Sequence, residues 1–191
     1  MASIASAEHV GATTALRRLY VTRFVFAAAW AALLAVSGSD LTAGAKVLLF
    51  VYPAFDVGAA VVDARSAHSG GPAKGLYANI AVSSLAAVGV AVAGTSGVAD
   101  VLRVWGAWAI LSGLVQLLVG VGRRPMGGQW AMIASGGISV LAGATFIRSA
   151  SQDDPSLTAL AGYAALGGIF FLVSAMRLSR SSRSSRSSRQ G

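Results

Sequence analysis

Six long apolar runs, separated by short polar or glycine-rich segments, make up most of the 191-residue chain. Each run is close to the ~20 residues that a helix needs to cross the hydrocarbon core of a bilayer. None alternates apolar and polar residues as the strands of a membrane barrel do, so helices remain as the structure that satisfies the backbone in lipid. The pattern predicts an all-α integral membrane protein with six transmembrane helices at about 19–37, 44–63, 75–94, 100–121, 129–147 and 156–176.

The composition agrees with a chain that lies mostly in lipid. Hydrophobic residues make up 55% of the sequence and charged residues 12%, whereas a soluble domain carries about 25% charged residues. The chain has no cysteine, which excludes disulfide bonds and thiolate chemistry. Its two histidines, His9 and His68, lie outside the apolar runs, and Asp153 and Asp154 supply too few ligands for a divalent cation. No cofactor and no metal site are therefore expected.

The first apolar run admits more than one interpretation. Small residues follow it, as they follow a secretory signal peptide, and Arg17 and Arg18 precede it, as in a twin-arginine signal. Arg23, however, interrupts the start of the run, and five more apolar runs follow. We therefore favour a first transmembrane helix that is retained.

Basic residues are concentrated on one side of the predicted helices, here called the arginine-rich side. It holds eleven Lys and Arg residues, whereas the other side holds Lys46, Arg103 and Arg148. Because the side richer in Lys and Arg faces the cytoplasm, both termini are predicted to be cytoplasmic. The eleven residues are Arg17, Arg18, Arg65, Lys74, Arg123, Arg124, Arg177, Arg180, Arg183, Arg186 and Arg189.

The two ends of the chain differ from the membrane region. Residues 1–16 are mostly small and polar, and residues 179–191 are dominated by a serine and arginine repeat. Neither segment can bury a core, so both are predicted to be disordered, with the membrane domain spanning 17–178. We expect the basic tail to contact anionic lipid head groups, and no nucleic acid is expected as a partner. Phosphorylation of its serines, which would weaken that contact, is an alternative. The residues expected to face the head groups are Arg177, Arg180, Arg183, Arg186 and Arg189.

A pair of small residues recurs at equal spacing along the chain. Alanine is followed four positions later by glycine in three copies, each 55 residues after the one before. Small residues four apart share a helix face and let a neighbouring helix approach. The spacing predicts three antiparallel helical hairpins in parallel repeat, at about 17–65, 75–123 and 129–177. The three pairs predicted to pack helices are Ala54 and Gly58, Ala109 and Gly113, and Ala164 and Gly168.

Asp56 lies inside the second apolar run and is the strongest candidate for a functional residue. It is seven residues, or roughly 10 Å, from the arginine-rich end of its helix, and Arg23 is roughly 6 Å from the same side in the adjacent helix. Charges in a bilayer are costly and usually paired, so we predict an Arg23–Asp56 ion pair. The pair could be a structural clasp or a protonatable site on a solute or proton path, and a protomer interface is a further alternative. The positions that match Asp56 in the other units are Ser112 and Gly167.

Other polar side chains inside the runs are expected to make interhelical hydrogen bonds. They are Asn79, Ser83, Ser84, Gln116, Ser135 and Ser139.

Several motifs resemble the HdeD-like family of small bacterial inner-membrane proteins. The resemblance covers roughly 17–178 and is carried by Gly128-Gln129-Trp130, Ser135-Gly136-Gly137, Pro155-Ser156-Leu157-Thr158, Gly162-Tyr163, Gly167-Gly168-Ile169-Phe170 and Ala175-Met176-Arg177. It implies six spans in three hairpins, location in the inner membrane, a role in acid or envelope stress tolerance, and no known enzymatic activity. The sequence departs from the family at Val57, where glycine is usual, and the middle hairpin lacks the Pro-x-Leu-Thr turn.

Motifs typical of enzymes are not found, since the sequence shows no carboxylate pair at catalytic spacing and no phosphate-binding loop. We expect a non-enzymatic multi-pass envelope protein linked to stress tolerance, with the lipid bilayer as its main partner and a homo-oligomer left open. The alternative is a small solute or proton transporter or channel that uses Asp56 as its protonatable site.

Overall fold

The computed structural model describes residues 2–37, 40–66, 73–122 and 129–187, and within these ranges the chain forms six α-helices and no strand. Each helix contains a segment long and apolar enough to cross a membrane. The predicted all-α class with six apolar helices is therefore confirmed. The helices are α1 (Ala2–Ser37), α2 (Ala43–Ser66), α3 (Ala73–Ala93), α4 (Val98–Gly122), α5 (Trp130–Ser149) and α6 (Thr158–Ser187).

The first and last helices of the chain are longer than the sequence pattern indicates. α1 begins at Ala2 and α6 continues to Ser187, through segments that the composition predicts to be disordered. Alanine is the strongest helix former, which favours helix in the first segment. The second extends a helix that has already formed, and adding a turn to an existing helix requires no new nucleus. The side chains of Arg180, Arg183 and Arg186, and all of Arg189, lie outside the described residues.

The turn between α3 and α4 requires a glycine. Gly97 has a φ of +136°, a conformation that side chains with a Cβ rarely adopt. Its amide and that of Ser96 donate hydrogen bonds back to the carbonyl of Ala93, at 3.2 and 2.9 Å. The chain thus reverses within a few residues, so α4 returns along α3.

The six helices close into a ring. Each packs against the helices before and after it in the chain, and α6 packs against α1. Neighbouring helices run antiparallel. Arg23 of α1 contacts Asp56 of α2, and Trp30 contacts Leu48, so the residue number along α2 decreases as that along α1 increases. The same reversal closes the ring, where Gly168 of α6 faces Ala27 of α1.

The closest helix pairs are not the ones that the repeat predicts. α4 with α5, α1 with α6, and α2 with α3 pack more closely than the predicted hairpins α1–α2, α3–α4 and α5–α6. The reason is clearest between α4 and α5, where glycines bring the two backbones together. A Cβ added to Gly113 would lie 2.6 Å from the carbonyl oxygen of Gly136, and one added to Gly106 would lie 2.7 Å from that of Gly143. Small residues at such crossings permit close packing in lipid.

The three alanine–glycine pairs therefore differ in what they pack. Ala109 and Ala164 are each 1% exposed, and the glycines that follow them, Gly113 and Gly168, meet α5 and α1. Gly58 is exposed, and a Cβ added there would have no atom within 4 Å. The helix contact predicted for Gly58 is thus not made in this chain.

In the first unit a different surface of α2 is turned inward. Ala60 is 1% exposed and Ala59 is 6% exposed, whereas Ala54 is only half-buried. The shift follows from the side chain of Asp56, which must face the ring interior to reach its partners. Gly58, two positions on, is thereby carried to the outer surface, because successive helical residues are about 100° apart.

Four large aromatic side chains fill the ring on the side of Asp56 that lies away from the arginine-rich side. We call Trp30, Tyr52, Trp105 and Trp108 the aromatic layer. Trp30 is 2% exposed and Trp105 is 0% exposed. Their rings are 5.3 Å apart, centroid to centroid, and the Trp30–Tyr52 and Trp105–Trp108 pairs are 4.7 and 5.0 Å apart. Such tilted and offset contacts suit the quadrupoles of aromatic rings.

Replacing Gly113 by alanine is expected to destabilise the protein, whereas the matched change Gly58→Ala is expected to be nearly neutral. At Gly113 the new methyl group meets the backbone of α5, and overpacking of this kind costs about 1–3 kcal/mol. Unfolding in mixed micelles of mild detergent and dodecyl sulfate measures the free energy. Equal free energies of unfolding for the two variants would contradict the assignment of the α4–α5 contact.

Candidate functional site

The Arg23–Asp56 ion pair that the sequence predicts is present in the structure. Nη2 of Arg23, on α1, donates to Oδ1 of Asp56, on α2. The two side chains are 12% and 18% exposed, so the pair lies largely inside the ring. Counting residues from the arginine-rich end of each helix was therefore enough to predict this contact from the sequence.

Asp56 also binds two side chains of α3. The amide of Asn79 and the hydroxyl of Ser83 each donate to Oδ2 at 2.8 Å. Asn79 and Ser83 are four residues apart, so they lie on the same face of α3. The carboxylate therefore accepts hydrogen bonds from both neighbouring helices of the ring.

A further hydrogen bond extends these contacts to α4. Nε1 of Trp108 donates to the hydroxyl of Ser83 at 3.0 Å, and Ser83 is fully buried. We call Arg23, Asp56, Asn79, Ser83 and Trp108 the carboxylate network. It links four consecutive helices through side chains alone.

Arg23 also contacts α6. Its guanidinium carbon lies 4.7 Å from the ring centroid of Phe171, a cation–π distance at which a desolvated pair is stabilised by about 2 kcal/mol. The same ring stacks on Tyr20 of α1 at 6.2 Å. Arg23 thus stands where α1, α2 and α6 meet, which is where the ring closes.

The polar contacts of the network recur in part in another unit of the repeat. Trp108 donates to Ser83, 25 positions before it, and the hydroxyl of Tyr163 donates to Ser139, 24 positions before it, at 3.0 Å. The same separation before Tyr52 reaches Ala27 and Ala28, which have no hydroxyl group. Two predicted units therefore share an aromatic-to-serine hydrogen bond, and the first unit holds the ion pair instead.

Three polar atoms of α4 are buried without a hydrogen-bond partner among the described residues. They are Nε1 of Trp105, the hydroxyl of Ser112 and Oε1 of Gln116. The interhelical hydrogen bond predicted for Gln116 is not made by its Oε1 among the residues that the structure describes. The three residues are spaced by seven and four positions, so they follow one stripe of the helix. Leu111 and Leu118, on the opposite side, are 49% and 75% exposed, so the stripe faces the ring interior.

The remaining candidate residues are more scattered. Ser84 and Arg177 are exposed, away from the carboxylate network. The sequence named Asn79 and Ser83 as interhelical donors without assigning them to Asp56. Ser83 lies ten residues from the start of α3, just as Asp56 lies ten residues from the end of α2, and Asn79 is one turn before Ser83 on the same face. This match in depth could have identified them.

The fold defines a class: the chain is a multi-pass α-helical membrane protein with a polar network inside its helix ring. Comparison with known protein families, with curated proteins and with solved structures finds no match to this chain. The carboxylate network therefore carries the functional argument.

Removing one member of the ion pair is expected to destabilise the protein more than removing both. Arg23→Met leaves the carboxylate of Asp56 without its counter-charge inside the membrane, which typically costs about 3–5 kcal/mol, whereas an apolar pair of similar volume costs much less. The double variant Arg23→Met, Asp56→Leu should therefore be more stable than Arg23→Met alone.

The free energies of unfolding of the two single variants and the double variant, measured as a double-mutant cycle, test this expectation. Additive losses would show that the two side chains do not stabilise the fold as a pair. Arg103→Met, which removes a residue from an exposed pair with Asp100, is the control and should change stability little.

Proposed function

We propose that the chain is a non-enzymatic, multi-pass protein of the bacterial inner membrane, with both termini in the cytoplasm, that supports tolerance of acid or other envelope stress. The observation that carries the proposal is the set of hydrogen bonds and the ion pair that hold Asp56 in a structural role. Both of its oxygens accept hydrogen bonds from neighbouring helices. A carboxylate that accepts hydrogen bonds at both oxygens from the helices on either side of it fastens those helices together.

The membrane location, the orientation and the link to stress in this proposal come from the sequence. The resemblance to the HdeD-like family, carried by motifs such as Pro155-Ser156-Leu157-Thr158 and Ala175-Met176-Arg177, supplies the link to acid stress and to the inner membrane. The excess of Lys and Arg on the arginine-rich side supports cytoplasmic termini. A ring fastened by an internal network suits a protein whose task is to persist in the membrane under stress.

The basic tail fits the same proposal as a lipid contact. Arg177 is exposed at the end of the last membrane-spanning segment, and four more arginines follow it in the sequence. A basic residue near an anionic leaflet contributes about 1 kcal/mol of attraction. Such a tail would hold the arginine-rich side against the cytoplasmic leaflet.

Deletion of the gene is expected to lower survival of the source bacterium in acid, and the intact gene should restore it. If the Arg23–Asp56 pair acts as a clasp, the double variant Arg23→Met, Asp56→Leu should also restore survival in proportion to its abundance in the membrane. Colony counts after acid exposure, with immunoblots of membrane fractions, measure both quantities. Unchanged survival of the deletion strain would count against the stress role.

One observation favours a second candidate, a small solute or proton transporter or channel. The unpartnered atoms of Ser112 and Gln116 face the ring interior, where a transported species would pass. Under the first candidate, purified protein in sealed liposomes should give no flux of protons or small solutes at any pH. A flux that is present with the native chain and abolished by Asp56→Asn would replace the first candidate with the second.

A further inference from the structure

A second carboxylate lies on the same face of α2 as Asp56. Asp63 follows Asp56 by seven positions, and residues seven apart differ by only about 20° around a helix. Counted at 1.5 Å per residue, Asp63 lies roughly 10 Å nearer the arginine-rich side. The helix therefore carries two acidic side chains in one line, at two depths.

Only small side chains separate the two carboxylates along this face. Ala59 and Ala60 lie between them on the same side of the helix, and they are 6% and 1% exposed. The other four intervening residues point to different sides of α2, because successive residues are about 100° apart. No long side chain of α2 thus stands between the two acids.

Asp63 is a carboxylate without a partner of its own. It is half-buried, and it forms no ion pair with any residue that the structure describes. Arg23 of α1 is the charge that attracts it, and Tyr20, three positions before Arg23, interacts electrostatically with both. A single guanidinium thus lies within the electrostatic reach of two carboxylates, and it is bonded to the deeper one, Asp56.

The direction of the side chains brings Arg23 and Asp63 closer than their positions along the helices indicate. In an α-helix the Cα–Cβ bonds tilt toward the N-terminus. α1 begins on the arginine-rich side, so Arg23 leans toward the level of Asp63. α2 begins on the opposite side, so the carboxylate of Asp63 leans back toward the level of Asp56. Both tilts shorten the distance between the guanidinium and Asp63.

Aromatic rings line the way from one carboxylate to the other. The guanidinium carbon of Arg23 lies 4.7 Å from the ring centroid of Phe171, and that ring stacks on Tyr20 at 6.2 Å. Tyr20 lies nearer the arginine-rich side than Arg23, at a depth between those of the two acids. Aromatic faces attract a guanidinium, so Arg23 stays in favourable contact as it moves along them.

We propose that Asp63 is a second ion-pair partner of Arg23, and that the guanidinium exchanges between Asp56, deep in the ring, and Asp63, nearer the arginine-rich side. In the second arrangement Asp56 keeps its two uncharged donors, Asn79 and Ser83. α1 and α2 remain joined by an ion pair in both arrangements. This inference goes beyond the proposed function and does not depend on the stress role.

The exchange gives the interior an element with two arrangements. A positive charge lies closer to the arginine-rich side in one of them and deeper in the ring in the other. A ligand or a partner that binds one arrangement better than the other shifts the population toward it. Asp63 is therefore the residue through which an event at the arginine-rich side reaches the carboxylate network.

A double-mutant cycle on the full chain tests the exchange. Asp56→Asn and Asp63→Asn each remove a carboxylate charge with little change of shape. In the native chain Asp63→Asn should change the equilibrium constant of unfolding little, because Arg23 keeps Asp56. In the Asp56→Asn chain the same change removes the last partner of Arg23, and it should raise that constant by roughly tenfold more. Unfolding in mixed micelles of mild detergent and dodecyl sulfate gives the four constants.

Repulsion between the two carboxylates would couple them in the same direction, so the cycle is repeated in the Arg23→Met chain. Exchange requires the guanidinium, and without it the effects of Asp56→Asn and Asp63→Asn should be additive to within roughly twofold. Repulsion does not require the guanidinium. A coupling that persists in the Arg23→Met chain would therefore overturn the proposal.

Asp153→Asn is the matched control, because Asp153 is an exposed carboxylate in the loop between α5 and α6, away from Arg23. It should have the same effect with and without Asp56→Asn. A coupling of Asp153 to Asp56 as large as that of Asp63 would show a general effect of net charge and would contradict the exchange.

Abundance in membrane fractions, measured by immunoblot, is a second readout that requires no purified protein. The Asp56→Asn chain should be retained in the membrane, because Arg23 still has a partner, and the chain that also carries Asp63→Asn should be depleted. An Asp56→Asn chain that is depleted as strongly as the double variant overturns the proposal, and so does an additive cycle in the presence of Arg23.

Discussion

The carboxylate of Asp56 needs donors that the apolar part of a bilayer cannot supply. It sits ten residues, or roughly 15 Å, from the end of α2, counted at 1.5 Å per residue, and a lone charge at such a depth is strongly unfavourable. Arg23 provides the counter-charge, and Asn79 and Ser83 occupy the second oxygen. Because these donors come from α1 and α3, the requirement of one side chain fixes the positions of three helices.

Close backbone packing holds the far side of the ring. α4 and α5 meet through glycines whose neighbours leave no room for a methyl group, and no charge is needed there. The ring thus combines two means of association that operate in lipid, polar contact on one side and small-residue packing on the other. Arg23 also lies over the ring of Phe171, so its polar contacts extend to α6, where that helix packs against α1.

The sequence predicts those features of the fold that depend on one quantity alone, such as hydropathy or the depth of a residue along its helix. Length and hydropathy determine the spans, and depth along each helix was enough to pair Arg23 with Asp56. The packing partners of a helix are harder to predict from the sequence, because a glycine indicates only that another helix can approach closely. Gly113 and Gly58 have the same local motif, yet one meets a backbone and the other has open space before it. Which helix face turns inward depends on all six helices together, and no local pattern contains that information.

The repeat also explains why the interior is asymmetric. Three equivalent carboxylates at one level would repel one another in a medium of low dielectric constant, and each would require its own cation. The chain keeps one carboxylate, at Asp56, with donors enough to hold it, and places a hydroxyl at Ser112 and no side chain at Gly167. A helix ring built on a regular repeat therefore keeps a single acidic side chain at this level, and the donors of the two neighbouring helices are enough to hold it.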